Sequence, residues 1–365
     1  MIKIYNLIEE IEKIAPPSLQ ESYDNARILT GNPDTECTGA MLCLDAIEKV
    51  IDEAIARKCN LVIAHHPILF SGIKSITGKN YIERTLIKAI KNDIVIYAAH
   101  TNLDNVIHGV NGKIADKLSL QNRQILAPKK GLLKKLYTYV PSDYTEQVQQ
   151  ALFEAGAGHI GNYSECSYST PGIGTYKPGA NTHPFIGVKG QRHQEHEDKL
   201  EVILPDFLEN QILDALFKAH PYEEVAYELI PLDNIHQEVG AGIIGNLEQP
   251  IPTISFLQFL KETMRAHVVR YTAQVQAKVQ KIAICGGAGS FLLQDAIKKK
   301  ADVFVTADYK YHQFFDADNR IVIADIGHFE SEQFTIELFY DILNKKFHNF
   351  ALYLTTVNTN PVNYL

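Results

Sequence analysis

Cysteines are few and follow no pattern. Five of them lie scattered along 365 residues, at positions 37, 43, 59, 166 and 285, and no two have CxxC spacing. An odd, dispersed set argues against a zinc–thiolate site and is typical of a reducing compartment. We therefore expect the protein in the cytoplasm.

Long apolar runs and basic runs are also missing. The amino-terminal segment has apolar residues at helical spacing, but Glu9, Glu10 and Glu12 interrupt it, which separates it from a signal peptide. No apolar stretch approaches the roughly 20 residues that cross a bilayer. The formal charge is −8 and no basic run stands out. We therefore expect no membrane and no nucleic acid among the partners.

The rest of the composition is ordinary for a globular protein, with 45% hydrophobic and 21% charged residues. Between residues 40 and 120, short apolar runs alternate with amphipathic segments: AMLCLD, EKVIDEAIARK, NLVIAHH, ERTLIKAIKN and DIVIYAAH. The same alternation returns in KIAICGGAGS, FLLQDAIKKK, DVFVTAD and RIVIADIGH. This pattern predicts βαβ units around a buried, largely parallel sheet. We expect a discontinuous α/β domain formed by residues 1–128 and 236–365.

The pattern changes in the middle of the chain. Residues 129–235 predict the order strand, helix, two strands, helix, strand, as in a ferredoxin-like α+β module inserted into the α/β domain. The stretch 172–190 is dense in glycine and proline, and we expect a long hairpin loop there. The cluster HQEHED at 193–198 could hold a metal, but a solvated loop is the better prediction for it.

Histidines stand where the apolar runs end. The run LVIA ends in His65 and His66, IVIYAA ends in His100, and IVIADIG ends in His328. Ligands of open α/β sheets gather beyond the carboxyl ends of the strands. A single histidine at such a place is most often structural, and that alternative stays open. Three strand ends that carry imidazoles point instead to a shared site.

Spacing suggests roles for these residues. Successive side chains of a strand point to opposite faces, so His65 and His66 are expected to serve two different ions. His328 and Glu332 are four apart at a predicted helix start and can share a site. Glu332 has two oxygens with which to bridge two cations, and Asp104 supplies another anionic oxygen.

The donor set therefore consists of imidazoles and carboxylates without thiolate. Such a set suits two divalent ions, with Zn, Fe or Mn the leading choices and Co or Ni also compatible. Paired ions at such a site are the machinery of metal-assisted hydrolysis. We expect Glu332 to be catalytic, and His100 to orient a ligand or transfer a proton.

Weaker signals leave alternatives open. The segment CGGAGS at 285–290 follows a strand and precedes a helix, so its amides could hold a phosphate, although a tight turn explains the glycines equally well. Asp308 and His312 lie beyond another strand end and either line the same cleft or begin a solvated helix. For Asp24 and Asn25, an Asx turn is the default prediction.

Several motifs together carry a family resemblance. In chain order, AHHP, YAAHTNLDN, CGGAGS, VTAD and GHFESE resemble the Nif-three-like family, whose members are also called GTP cyclohydrolase 1 type 2 homologs. The chain departs from that family at Tyr23, where tryptophan is usual, and at Ala307, where glycine is frequent. The middle segment is similar to the CutA- or PII-like insertion of the longer members.

The resemblance implies a dinuclear metal centre and a toroidal homohexamer, a trimer of dimers. The implied ligands are His65, His66, Asp104, His328 and Glu332. We therefore expect a metal-dependent hydrolase that acts on a nucleotide-like or phosphorylated small molecule. The alternative is a hexameric metal-binding regulatory protein that senses a small molecule without catalytic turnover.

Overall fold

The structure, a computed structural model, describes residues 1–365 and divides into two compact units. The first unit consists of Met1–Ala127 and Glu238–Leu365, and the second of Pro128–Gln237. The fold is mixed α/β with three sheets. None of the helices has the length and apolarity required to cross a membrane.

Eleven α-helices and fifteen strands make up the chain. The helices are α1 (Ile4–Ile14), α2 (Glu48–Ala56), α3 (Tyr81–Lys91), α4 (Thr101–Asp104), α5 (Val110–Lys117), α6 (Thr145–Glu154), α7 (Glu209–Ala219), α8 (Thr253–Thr263), α9 (Leu293–Lys298), α10 (His328–Glu332) and α11 (Thr335–Asn344). The strands are β1 (Ile28–Thr30), β2 (Ala40–Asp45), β3 (Leu61–His66), β4 (Val95–Ala98), β5 (Gln121–Lys130), β6 (Leu133–Pro141), β7 (Ser167–Tyr176), β8 (His193–Pro205), β9 (Tyr227–Leu232), β10 (Ile235–Pro252), β11 (Arg270–Tyr271), β12 (Lys278–Ala288), β13 (Val303–Ala307), β14 (Val322–Asp325) and β15 (Leu352–Leu354).

The first sheet of the large unit has the strand order β1-β4-β3-β2-β15. Strands β2, β3, β4 and β15 run parallel, and β1 joins antiparallel at the edge. The parallel strands are apolar because helices cover them: Val50 and Ile51 of α2 pack with Met41, Val62 and Ile96 in one core cluster. This burial explains why LVIA and IVIYAA read as uninterrupted apolar runs.

The second sheet of this unit has the order β11-β14-β13-β12-β10-β5. Its central strands β12, β13 and β14 are parallel, whereas β10 and β11 join antiparallel. The unit thus contains two mixed sheets instead of the single, largely parallel pattern that the apolar runs suggest. Near the carboxyl terminus the chain returns to the first sheet as β15, which pairs with β2, and Tyr353 lies opposite Met41.

The small unit has the element order β6, α6, β7, β8, α7, β9. Its four strands form one antiparallel sheet in the order β7-β8-β6-β9. Leu136 and Val202 of the sheet pack with Val148 and Leu152 of α6 and Leu216 of α7 in one core cluster. The amphipathic pattern of both helices follows from this packing.

Two segments of the small unit that were predicted as loops are partly or wholly strand. Strand β7 continues to Tyr176, so the glycine- and proline-rich hairpin loop begins only at Lys177. Strand β8 begins at His193, so residues 193–198 are strand and not solvated loop. Strand β7 pairs with β8 along its whole length, and these ladder hydrogen bonds sustain a strand that is too polar to be recognised from alternation.

Candidate metal centre

The two consecutive histidines end the central strand of the first sheet. His65 and His66 are the last residues of β3, and Pro67 follows, a residue that keeps its predecessor extended. The His65 side chain is 0% exposed, whereas His66 is partly exposed. Their ring centroids are 4.9 Å apart with an interplanar angle of 46°. Both imidazoles therefore reach the same edge of the sheet.

His65 has one ring nitrogen occupied and one without a partner. Its Nδ1 lies 2.9 Å from the carbonyl oxygen of Ala99. Its Nε2 is buried and makes no hydrogen bond. The nearest carboxylate oxygens are Asp104 Oδ1 at 3.6 Å and Glu332 Oε1 at 3.8 Å. A buried imidazole nitrogen without a partner, facing two carboxylates, is an arrangement that a bound cation satisfies.

A second group forms around the other oxygen of the same glutamate. His66 Nε2 lies 2.9 Å and His328 Nε2 3.1 Å from Glu332 Oε2. The two Nε2 atoms are 3.3 Å apart. Helix α10 explains how His328 and Glu332 meet, because residues four apart lie on one helix face. The 3%-exposed Glu332 thus directs Oε1 toward His65 and Oε2 toward His66 and His328.

All four imidazoles of the centre are oriented in the same way, through Nδ1. Each Nδ1 lies within hydrogen-bond distance of a protein oxygen, which leaves Nε2 available to a metal. The Nδ1 partners are Ala99 O for His65 at 2.9 Å, Asp45 Oδ1 for His66 at 2.8 Å, Asp24 Oδ1 for His100 at 2.9 Å and Asp308 Oδ2 for His328 at 2.7 Å.

Two triads bring ligand atoms within 4.8 Å of one another: His65 with His66 and His100, and His66 with His328 and Glu332. His66 belongs to both. Asp104 lies outside the triads but approaches His65 from α4. The structure therefore brings together the six residues predicted for the metal site. His100 belongs to one of the triads, so it lies close enough to the other ligand atoms to be a ligand itself.

The imidazoles of His66 and His328 hold protons tightly when no metal competes for them. Burial by itself lowers the pKa of His66, but hydrogen bonds to Asp45 and Glu332 together raise it to about 10. Burial acts in the same direction on His328, where hydrogen bonds to Asp308 and Glu332 raise the pKa to about 11. The surrounding carboxylates thus create a strongly cation-attracting centre.

The two central carboxyls differ in their affinity for protons. Burial favours the neutral form of Glu332, but the hydrogen-bonded imidazoles of His328 and His66 and the nearby imidazole of His65 hold its pKa well below the ordinary value. Burial and the charge of Glu332 raise the pKa of Asp104. A cation between these groups removes the repulsion that raises the pKa of Asp104.

The glycine-rich segment at residues 285–290, at the end of β12, is hydrogen-bonded to side chains near the metal centre. Its amides are occupied by side-chain oxygens: Gly286 N donates to Asn111 Oδ1, and Gly287 N donates to Ser331 Oγ, each at 2.9 Å. Gly289 N donates to Thr306 Oγ1 at 3.0 Å. These three amides are therefore not available to a phosphate, and Cys285–Ala288 belong to β12, whose register against β13 shifts between Ile284 and Ala288.

Three aspartates near the centre have roles that the sequence analysis did not assign. Asp45 ends β2 directly opposite His66 in the parallel register, so the strand-end rule that drew attention to the histidines could have found it. Asp24 accepts a hydrogen bond from the amide of the next residue, Asn25, and not from residue 26 as the predicted Asx turn requires; it also binds His100. Asp308 does line the cleft, and its left-handed φ of 59° turns it toward His328.

A cavity of about 590 Å³ opens beside the imidazoles of His66 and His328. Arg270 of β11 lines it, with a side chain that is 52% exposed and a guanidinium that donates to the buried Asp325. The cavity has room for a small-molecule substrate next to the candidate ligands.

Comparisons with known proteins agree along the whole chain. The sequence model of the Duf34/NIF3 family (NGG1p interacting factor 3) matches residues 2–361. The chain is 38% identical to a Bacillus subtilis protein named GTP cyclohydrolase 1 type 2 homolog, over 98% of both chains. A Staphylococcus epidermidis protein of the same name is 34% identical over 100% of both.

Solved structures give the same result. The crystal structure of a Bacillus cereus protein related to NIF3 superposes with a TM-score of 0.88 and 35% identity, covering 100% of this chain and 99% of that one. Staphylococcus aureus protein SA1388 superposes with a TM-score of 0.77 and 28% identity at the same coverage. The resemblance in the sequence motifs is thus confirmed, and the chain belongs to the Duf34/NIF3 family.

Proposed function

We propose that the chain is a metal-dependent hydrolase with two divalent ions per subunit, acting on a nucleotide-like or phosphorylated small molecule. The observation that carries this proposal is that the two carboxylate oxygens of Glu332 face two different groups of imidazoles. One oxygen faces the unpartnered Nε2 of the buried His65, and the other faces His66 and His328. Such a carboxylate is suited to bridge two cations.

The proposed ligand sets follow from these distances. His66, His328 and Glu332 Oε2 would hold one ion, and His65, Asp104 and Glu332 Oε1 the other. Imidazole and carboxylate donors without thiolate favour Zn, Fe or Mn. When bound, a pair of divalent ions supplies Lewis acidity to a phosphoryl or carbonyl oxygen and makes water more acidic.

The proposed proton carrier of this chain is His100. Its Nδ1 is held by Asp24, whose side chain is 0% exposed and also accepts from the Thr101 amide at 2.9 Å. Burial favours the neutral acid, but hydrogen bonds from His100 and Thr101 hold the pKa of Asp24 far below its ordinary value. A charged Asp24 fixes the orientation of the imidazole through Nδ1, so His100 can take a proton from water at Nε2.

Substrate binding is assigned to the cavity beside His66 and His328. Arg270 there has N–H groups beyond the bond to Asp325, and these can contact an anionic substrate oxygen. The side chain of Asp308 lines the same cavity and keeps His328 oriented. This combination of a cation and a carboxylate-lined metal cluster fits a phosphorylated ligand better than a neutral one.

The proposal is tested by metal content and turnover measured on the same preparations. Protein loaded with Zn²⁺, Mn²⁺ or Fe²⁺ is assayed with p-nitrophenyl phosphate and with GTP. We expect two ions per subunit and turnover that falls at least about a thousandfold in Glu332→Gln. Glu330→Gln is the matched control for metal content, because Glu330 is equally buried on α10 but accepts from Asn360.

A second candidate function is a metal-binding regulatory protein without turnover. The small unit supports it, because this unit has its own core and a cavity formed by none of the metal-cluster residues. Two tightly bound ions without turnover of either substrate would favour this alternative. We further propose that the small unit is a ferredoxin-like, CutA- or PII-like insertion, which its element order and the strand order β7-β8-β6-β9 support.

We also propose that the protein is a cytoplasmic homohexamer, a trimer of dimers. The support is the resemblance to the Nif-three-like family and, for the reducing compartment, five cysteines that form no disulfide. Native mass spectrometry of the metal-loaded protein reports subunit number and ions per subunit together. A monomer at micromolar concentration would contradict the assembly.

A further inference from the structure

The small unit carries a cavity of about 440 Å³ that is rich in aromatic rings. Its aromatic lining consists of Tyr139, Tyr176, Phe185 and Tyr222. The Tyr222 ring centroid lies 5.8 Å from that of Tyr176 and 6.4 Å from that of Phe185. Interplanar angles of 62° and 52° show that these rings are tilted and do not cover one another's faces.

A buried carboxylate lines the same cavity. Glu197 of β8 is only 8% exposed. Its Oε1 accepts a hydrogen bond of 2.9 Å from the Tyr222 hydroxyl. Its Oε2 has no hydrogen-bond donor within the chain. Because Glu197 lines the cavity, a ligand bound there can donate to this oxygen in place of water.

The neighbouring strand is shaped to admit this carboxylate. A Cβ atom at Gly174 of β7 would lie 1.8 Å from Glu197 Oε2, which no real pair of atoms tolerates. Gly174 itself lines the cavity. The carboxylate therefore occupies its present position because residue 174 has no side chain.

The charge of the lining favours a cation. Glu223 and Glu224 line the cavity together with Glu197, whereas Lys177 is the one basic residue in the lining. Aromatic ring faces are electron-rich and attract cations as well. Three carboxylates and four aromatic residues outweigh the exposed Lys177, so a positively charged ligand is the one this cavity suits best.

We propose that this cavity binds a small ligand through a protonated alkylamine group, with an N–H donated to Glu197 Oε2 and the ring faces of Tyr176, Phe185 and Tyr222 around the cation. A protonated amine meets both requirements, since it supplies the missing donor and the positive charge. The inference concerns the small unit alone and does not depend on the proposed hydrolase.

The test is calorimetric titration of the full-length, metal-loaded protein at neutral pH with three probes of similar size: butylammonium chloride, 1-butanol and sodium butyrate. We expect butylammonium to bind at least about tenfold more tightly than the neutral alcohol. Equal affinity for the ammonium and the alcohol, or preferential binding of butyrate through Lys177, would overturn the proposal.

Variants locate the binding. Glu197→Gln should weaken butylammonium binding at least about tenfold, whereas Glu195→Gln, on the same strand but outside the cavity, should not. Phe185→Leu keeps an apolar side chain at a 47%-exposed position and should weaken binding several-fold by loss of the ring. Unchanged affinity in Phe185→Leu and Glu197→Gln contradicts the assignment.

Two controls keep the outcome interpretable. Circular dichroism shows whether Glu197→Gln is folded. If this variant is unfolded, the affinity of Phe185→Leu for butylammonium and the comparison of the three probes test the proposal instead. Glu332→Gln, which alters the candidate metal centre, should bind butylammonium with the affinity of the unmodified chain. Loss of binding in Glu332→Gln would show that the amine binds at the metal centre instead, and the proposal would be wrong.

Discussion

Gly287 makes room for Glu332. A Cβ atom at position 287 would lie 2.5 Å from Glu332 Oε1, the oxygen that faces His65. The backbone there has a φ of +61°, which side-chain-bearing residues adopt only with strain. The glycine thus serves the centre in two ways, by its conformation and by its lack of a side chain.

Gly287→Ala should therefore displace Glu332 and weaken metal binding roughly 10–100-fold, besides a loss of about 1–3 kcal/mol in unfolding free energy from backbone strain. Gly78→Ala is the matched control, because Gly78 has a φ of +83° but its Cβ would meet no atom nearer than Ile87 Cδ1 at 3.6 Å. Metal titration and thermal unfolding of both variants separate the two effects. Equal metal affinity in both would contradict this view of the glycine.

Removing an orienting carboxylate should weaken metal binding without unfolding the protein. Asp45→Ala frees Nδ1 of His66, and Asp308→Ala frees Nδ1 of His328. Each change should lower metal affinity about 10–100-fold, since the imidazole loses its fixed orientation. Asp52→Ala, which removes only a surface pair with Lys88, is the control and should leave affinity unchanged. Competition with a chromophoric chelator measures all three.

Metal binding should be strongly pH-dependent. The pKa values of His66 and His328 are raised from 6.5 to about 10 and about 11 in the metal-free protein. A metal must displace both protons at neutral pH, so its apparent affinity should rise with pH, by roughly a hundredfold per unit when two protons leave. Calorimetry in buffers of different ionisation enthalpy counts the released protons, and release of none would contradict the ligand assignment.

The metal-free protein should show the opposite trend in stability. Because the folded pKa values of His66 and His328 exceed the unfolded value of 6.5, their contribution is complete below about pH 6.5. It declines as the pH rises above 6.5 and is lost once the pH passes about 11. Urea unfolding of the chelator-treated protein across this range is the measurement. Stability that rises with pH in the metal-free state would contradict the raised pKa values.

His100 and Asp24 should affect turnover more than metal content. Under the proposed function, His100→Ala removes the proton carrier and should reduce kcat about 10²–10⁴-fold while both ions remain. Asp24→Asn should act in the same direction through His100, since the amide does not hold the imidazole in the tautomer and orientation that the carboxylate sets. Native mass spectrometry counts the ions in each variant. Loss of one ion in His100→Ala would instead make His100 a ligand.

Some features of the candidate site can be predicted from the sequence, and others cannot. The helix start at His328 and the shared face of His328 and Glu332 are found as the four-residue spacing predicts. Asp45 was missed because its relation to His66 arises from the parallel register of β2 and β3. The strand at 193–198 was missed because β7 sustains it through pairing, while its own residues are polar.

By itself, the sequence determined that the histidines lie at or within three residues of the ends of buried strands, that a helix begins at His328 and which family the chain belongs to. These properties depend on neighbours in the chain, so periodicity and motifs carry them. The tertiary structure alone decided that Glu332 divides its oxygens between His65 and His66, and that an aspartate or a carbonyl holds each imidazole. His66 and Glu332 are 266 positions apart in the chain, and only the packing of the sheets brings them within hydrogen-bond distance.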